Sequence, residues 1–162
     1  MPTGVKVIAP GPKRRIERAY TTINSDLTTS TQDISLHTCE DAKTLVRMRG
    51  HLVFSSTEST GAGQSIYDAA IHVAPGGTST LTVSGSSLTD QVSNRNRIAS
   101  QHGSVFGSWD GTRIIALRDD VWEFDIKAMR KMQEGDILRL SYIGASGVEI
   151  KMTGIVDMWF KE

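Results

Sequence analysis

Between Val148 and Phe160 every even position except Gly154 is apolar: Val148, Ile150, Met152, Val156, Met158 and Phe160. The odd positions begin polar (Glu149, Lys151, Thr153) and end mixed (Ile155, Asp157, Trp159). A period of two belongs to a β-strand, whose side chains point alternately to opposite faces. At roughly 3.3 Å per residue the segment would span about 43 Å, longer than most strands. A strand of that length carrying Trp159 and Phe160 needs a second layer over its apolar face, and a β-sandwich supplies it most economically.

Further strand signals precede it. Ala19–Asn24 is rich in Thr and Tyr, and Asp33–Cys39 alternates through Ile34 and Leu36. Thr44–Phe54 sets Val46, Met48, Leu52 and Phe54 opposite Arg47, Arg49 and His51. Ile66–Ala74 alternates through Tyr67, Ala69, Ile71 and Val73, then meets Pro75-Gly76-Gly77. Short strands are predicted over Ser79–Val83, Arg113–Leu117, Val121–Ile126 and Asp136–Ile143. Glycine-rich turns separate them, among them Asp110-Gly111 and Glu134-Gly135-Asp136. Ser87–Gln101 fits no strand pattern and is predicted as a loop insertion with one helical turn. About eight strands at this spacing indicate an all-β sandwich or barrel.

Three of the four prolines, Pro2, Pro10 and Pro12, lie in residues 1–18, which are predicted as an extended arm preceding a β-domain over 19–162. The arm also alters the charge picture. It holds Lys6, Lys13, Arg14, Arg15 and Arg18 against Glu17 alone, a net of +4, so the rest of a chain of zero net charge carries −4. A basic arm on a mildly acidic body is the pattern of a nucleic-acid tether. Arg47, Arg49 and His51 form a second basic face, suited either to phosphate contact or to plain solvation. Arg95 and Arg97 stand in the loop insertion, suited to touch a neighbouring subunit or a ligand, or to plain exposure.

Catalytic chemistry is not visible. The four histidines, His37, His51, His72 and His102, lack metal-pair spacing, so no metal site is expected. Gly61-Ala62-Gly63 is followed by neither a Lys-Ser/Thr pair nor a helix, and Gly103-Ser-Val-Phe-Gly107 lacks the central serine of a nucleophile elbow. Cys39 is the sole cysteine, which excludes an internal disulfide and suggests a small buried hydrophobe. The pairs Glu40-Asp41 and Asp119-Asp120 would point to opposite faces of a strand and form no acid–base couple. The expectation is a protein without enzymatic activity or cofactor. No apolar run approaches the ~20 residues of a membrane span, and the first residues lack the apolar core of a secretory signal.

Two segments carry a resemblance. Trp122-Glu-Phe-Asp-Ile-Lys-Ala-Met-Arg-Lys-Met-Gln-Glu-Gly-Asp136 and Ala42-Lys-Thr-Leu-Val-Arg-Met-Arg-Gly50 resemble the late and early regions of the jelly-roll capsid proteins of small circular, Rep-encoding single-stranded DNA viruses. The resemblance concerns chiefly residues 42–54 and 120–160. It implies a single jelly-roll β-sandwich of about eight antiparallel strands with a short extended N-terminal arm. It also implies a capsid protein that assembles in its host cell into an icosahedral virion shell, of about 60 copies in the simplest symmetric case. Single-stranded nucleic acid would be a partner, and a membrane would not. On this reading Lys6, Lys13, Arg14, Arg15, Arg18, Arg47 and Arg49 are candidates for nucleic-acid contact. Lys127, Arg130 and Lys131, predicted to crown a turn after Ile126, join Arg95 and Arg97 as candidates for subunit contact. Two alternatives remain: a carbohydrate-binding, lectin-like module using Trp109 beside Asp110-Gly111 as a platform, and a phage decoration protein.

Overall fold

The computed structural model describes residues 3–10, 15–28, 32–56, 62–76, 97–109, 112–144 and 150–162. Ten strands run through them: β1 (Thr3–Pro10), β2 (Arg15–Leu27), β3 (Gln32–Thr38), β4 (Lys43–Ser56), β5 (Ala62–Ala74), β6 (Arg97–Trp109), β7 (Ile114–Arg118), β8 (Asp120–Met132), β9 (Ile137–Gly144) and β10 (Ile150–Lys161). They form two five-stranded sheets, β1-β2-β10-β4-β8 and β3-β9-β5-β6-β7, with every neighbouring pair antiparallel. Without the edge strands β1 and β7, the order is β2-β10-β4-β8 over β3-β9-β5-β6. That is the double Greek key of a jelly roll.

Alternation explains the core. Met152, Val156, Met158 and Phe160 on β10 and Met48, Leu52 and Phe54 on β4 are all buried. They meet Leu36, Tyr67, Ile71, Val105, Leu138 and Leu140 from the second sheet in one apolar cluster. Full burial of such a side chain contributes about 1.5–3 kcal/mol. The Phe54 and Tyr67 rings stack across the sandwich at 3.7 Å. Cys39 is buried, and burial raises the pKa of its thiol. Its backbone ties β3 to the turn before β9 through Cys39 N–H to Asp136 O at 2.9 Å and Gly135 N–H to Cys39 O at 2.8 Å.

Several expectations are corrected. Lys127, Arg130 and Lys131 do not crown a turn: β8 continues to Met132, which is buried and pairs with Lys43. A register shift between the pairs Arg47↔Lys127 and Leu45↔Arg130 absorbs the extra residue that the sequence presents as a turn. The actual turn follows, closed by Gln133 N–H to Asp136 Oδ2 at 2.9 Å. The same irregularity puts Leu45, not Val46, on the core face of β4.

Of the expected loop over Ser87–Gln101, residues 97–101 belong instead to β6, a 13-residue strand that pairs with β5, and residues 87–96, with the expected helical turn, lie outside the described residues. Its serines and glycines hide it from propensity, but the packing needs Gly103. A Cβ on Gly103 would collide with the Tyr67 hydroxyl and the Asp120 carboxylate, which hydrogen-bond at 2.6 Å across that position. The predicted strand Ser79–Val83 lies outside the described residues. In the extended arm, β1 pairs antiparallel with β2, whose first residue is Arg15.

Candidate functional site

The outer face of the first sheet gathers several of the candidate cations. Because Met152, Val156, Met158 and Phe160 face inward, Ile155, Asp157 and Trp159 face outward, and register then fixes their neighbours. Trp159 stands between Arg18 on β2 and Arg47 on β4; Arg47 stands opposite Lys127 on β8, and Arg18 opposite Lys6 on β1. One row thus crosses all five strands as Lys6, Arg18, Trp159, Arg47 and Lys127. At about 4.8 Å per strand its four intervals cover about 19 Å. The next row adds Lys161, opposite Thr44, and Lys131, also opposite Thr44. Neither row contains an acidic residue.

The arginines in and beside this row are held by two kinds of contact. The guanidinium carbons of Arg18, Arg47 and Arg49 lie 5.5, 4.9 and 5.7 Å from the centroid of the Trp159 ring. A cation at that distance is drawn to the negative face of the indole. Carboxylates of the following row complete the hold. Asp157, whose side chain is only 7% exposed, accepts from Arg18 Nη2 at 2.5 Å and Nε at 3.0 Å, with Arg49 Nη2 at 3.8 Å on its other oxygen. Asp125 takes Arg47 in a two-pronged pair at 2.9 and 2.7 Å, and that hydrogen-bonded guanidinium holds the Asp125 carboxyl below its usual range. A planar guanidinium suits such forked pairing and stacking, where lysine would not.

Next to the row lies an open cleft of about 530 Å³, lined among others by Arg49, His51, Glu123, Asp125, Ile155 and Asp157. Gly154 sets the approach of the two strands beneath it. Its φ is +153°, and a Cβ there would collide with the backbone carbonyl of His51, so only glycine lets β10 and β4 approach this closely. His51 Nδ1 meets Glu123 Oε1 at 2.9 Å on the cleft wall.

The candidates therefore divide. Arg18, Arg47 and Arg49 come together, and Lys127 joins their row instead of marking a separate interface. Arg130 turns to the rim and donates to the Arg97 carbonyl at 3.4 Å, linking two of the subunit-contact candidates across the sandwich. Lys6 and Arg15 are placed by backbone register only, and Lys13, Arg14 and Arg95 lie outside the described residues. Trp109 ends β6, and no side-chain geometry is described for it. Sequence reasoning missed Trp159 and Asp157. Their signal was an aromatic and an acid at the end of an otherwise polar face, unreadable without knowing which strands flank it.

The second sheet holds a different polar cluster. The Ser141 hydroxyl donates to Asp33 Oδ1 in a short bond and lies 2.8 Å from His72 Nε2. With its proton given to Asp33, Ser141 Oγ accepts from a protonated Nε2. Burial lowers the pKa of His72. In a nucleophilic triad the carboxylate holds the imidazole and the imidazole takes the serine proton. Here the carboxylate holds the serine, which is wholly buried, so the cluster ties strands together and activates nothing. Among the described residues no group of His, Cys, Asp and Glu side chains has the arrangement to hold a metal ion.

No family model matches the chain, and no curated protein matches it. Among solved structures it is similar to a chain in "Structure of infectious bursal disease virus Gx strain", at 13% identity and a TM-score of 0.36. That alignment covers 95% of this chain and 36% of the viral one, so this chain spans about a third of the other's length.

Proposed function

We propose that this chain is a shell-forming capsid subunit, whose copies close into a small icosahedral particle around a nucleic-acid genome. The observation that carries the reading is the strand order, β2-β10-β4-β8 over β3-β9-β5-β6, with an added edge strand on each sheet. Jelly rolls serve capsids, lectins and cupins alike, so the order narrows the choice without making it. The site narrows it further. A sugar-binding module needs a bare aromatic platform. Among the tryptophans with a described side chain neither offers one: Trp122 is buried, and three guanidinium groups already surround the Trp159 ring, while the side chain of Trp109 lies outside the described ones. The segments that resemble capsids of single-stranded DNA viruses correspond to β4 and to β8 through β10; of these, β4, β8 and β10 are three of the five strands of the cation-bearing sheet. A single-stranded DNA genome and a place in the virion are the corresponding expectations.

Particle mass tests this. Light scattering and negative-stain microscopy of the purified protein should show a closed particle of many copies. A monodisperse species of 17.7 kDa at micromolar concentration would sink the proposal. A small oligomer that binds only to preformed phage heads would favour a decoration protein.

A further inference from the structure

We infer that the row formed by Lys6, Arg18, Trp159, Arg47 and Lys127 is a contact surface for single-stranded nucleic acid, and that the first sheet turns its outer face to the lumen of the shell. The lumenal orientation rests on the capsid reading; the binding itself does not.

Charge placement is the first argument. The chain is neutral overall, yet this row and the next hold Arg18, Arg47, Lys127, Lys161 and Lys131, with Lys6 opposite Arg18 by backbone register, and no acid among them. The acids that reach them, Asp157 and Asp125, come from one side only, which leaves the row a net cation. The second argument is pre-organisation. Asp157 is nearly buried beneath Arg18 and Arg49, and Trp159 holds three guanidinium groups beside its ring, so little side-chain freedom remains to be lost on binding. Each guanidinium carries five N–H donors. Arg18 engages Nε and Nη2 on Asp157, and Arg47 engages Nε and Nη2 on Asp125, leaving donors for phosphate.

The shape decides between nucleic-acid forms. Among the described residues the face is a sheet, and no helix or ribbon of theirs projects from it to enter a duplex groove. A strip about 19 Å long suits the backbone of an extended strand, with bases stacked on guanidinium planes. Such contacts are made mainly to phosphates and are sequence-tolerant. The arm then contributes to this surface through Lys6 on β1 and Arg18 on β2, beside Arg47 and Lys127 from the body of the sandwich.

The test uses the full-length protein and the double variant Arg47→Gln/Lys127→Gln, with Lys151→Gln, at the far end of the same face, as control. The ultraviolet absorbance ratio of intact particles reads their nucleic-acid content. Fluorescence anisotropy with a labelled oligothymidylate, on subunits before closure and over a range of salt, reads affinity. The double variant should bind about tenfold more weakly. Its plot of log affinity against log salt should be shallower by about 1.4, or about 0.7 per lost cation. The control should match the wild type. Should the double variant not fold, the single exposed substitution Lys127→Glu carries the same test. Wild-type content and affinity in the variants would overturn the inference, whereas particle mass on the same samples judges the capsid reading separately. Tight binding of heparin with none of the oligonucleotide would also overturn it, assigning the row to a sulfated glycan.

Discussion

On the first sheet, β4 alternates between buried and accessible positions along most of its length, and its outward side carries Arg47, Arg49 and His51 into water. On the second sheet, β9 is buried at seven consecutive residues, Leu138 to Gly144, so its outward side is as dry as its inward one. Both outward sides hold polar and charged groups, but under different conditions. Around Trp159 the groups are partly wet and their ion pairs are screened by solvent. Around Ser141 the side chains of His72, Arg139 and Asp68 are buried, and a buried polar group must find its partner inside the protein. The comparison teaches that polar substitutions on the first sheet should change what the protein binds, and those on the second should change whether it folds.

The hardest blow to either sheet is a charge on the shared core. Val156→Asp and Met152→Asp each put a carboxylate at a fully buried position of β10, costing several kcal/mol, and soluble yield and circular dichroism should both collapse. A folded Val156→Asp would mean the faces of β10 are assigned the wrong way round.

Next comes the dry side. Ser141→Val deletes the hydroxyl that joins Asp33 to His72, and thermal melting should show a loss of about 1–3 kcal/mol. Wild-type stability would place that cluster in water after all and erase the contrast.

Acid should press on the same sheet. Burial lowers the pKa of both His72 and His37, the latter stacked on Phe160 at 4.4 Å. The unfolded chain therefore binds protons that the folded one refuses. Stability should fall as pH drops below the unfolded value of about 6.5 and level off once the depressed folded values are passed. Denaturant midpoints at pH 7 and pH 5 check this, and His72→Gln should flatten the difference. A midpoint that rises on acidification would reverse the sign.

The smallest effect belongs to the wet side. Lys151→Ala, on an outward position of β10, should change stability by no more than about 0.5 kcal/mol in a melting experiment. A larger loss would mean that this face is covered as the other one is.

The edges add to the contrast. Each outermost ladder, β1–β2, β3–β9, β4–β8 and β6–β7, contains a register shift, as do the inner ladders β10–β4 and β5–β6, while β10–β2 and β5–β9 run without one. Irregular edges resist pairing with further strands. Contacts between copies are therefore expected through faces and loops.

Much of the fold is legible in the chain. Period-two alternation reveals β4, β5 and β10 and the inward set Met48, Leu52, Phe54, Met152, Val156 and Phe160, because inside and outside along a strand are a local matter of side-chain direction. Alternation does not reveal β6, whose serines and glycines are tolerated only because β5 pairs with it and Tyr67 and Asp120 lie over Gly103. It misreads the end of β8, where a register shift and not a turn absorbs the extra residue.

The candidate site was half legible: the sequence supplied Arg18, Arg47 and Arg49 as cations and alternation put Arg47 and Arg49 on one face. Only the tertiary structure made them neighbours. Arg18 and Asp157 are 139 residues apart, and Arg47 and Asp125 are 78 apart. Which strands lie side by side, and in what register, depends on the packing of the whole sandwich. Trp159, an unremarkable tail position in the chain, becomes the centre of a cationic row because β2 and β4 close on β10 from either side.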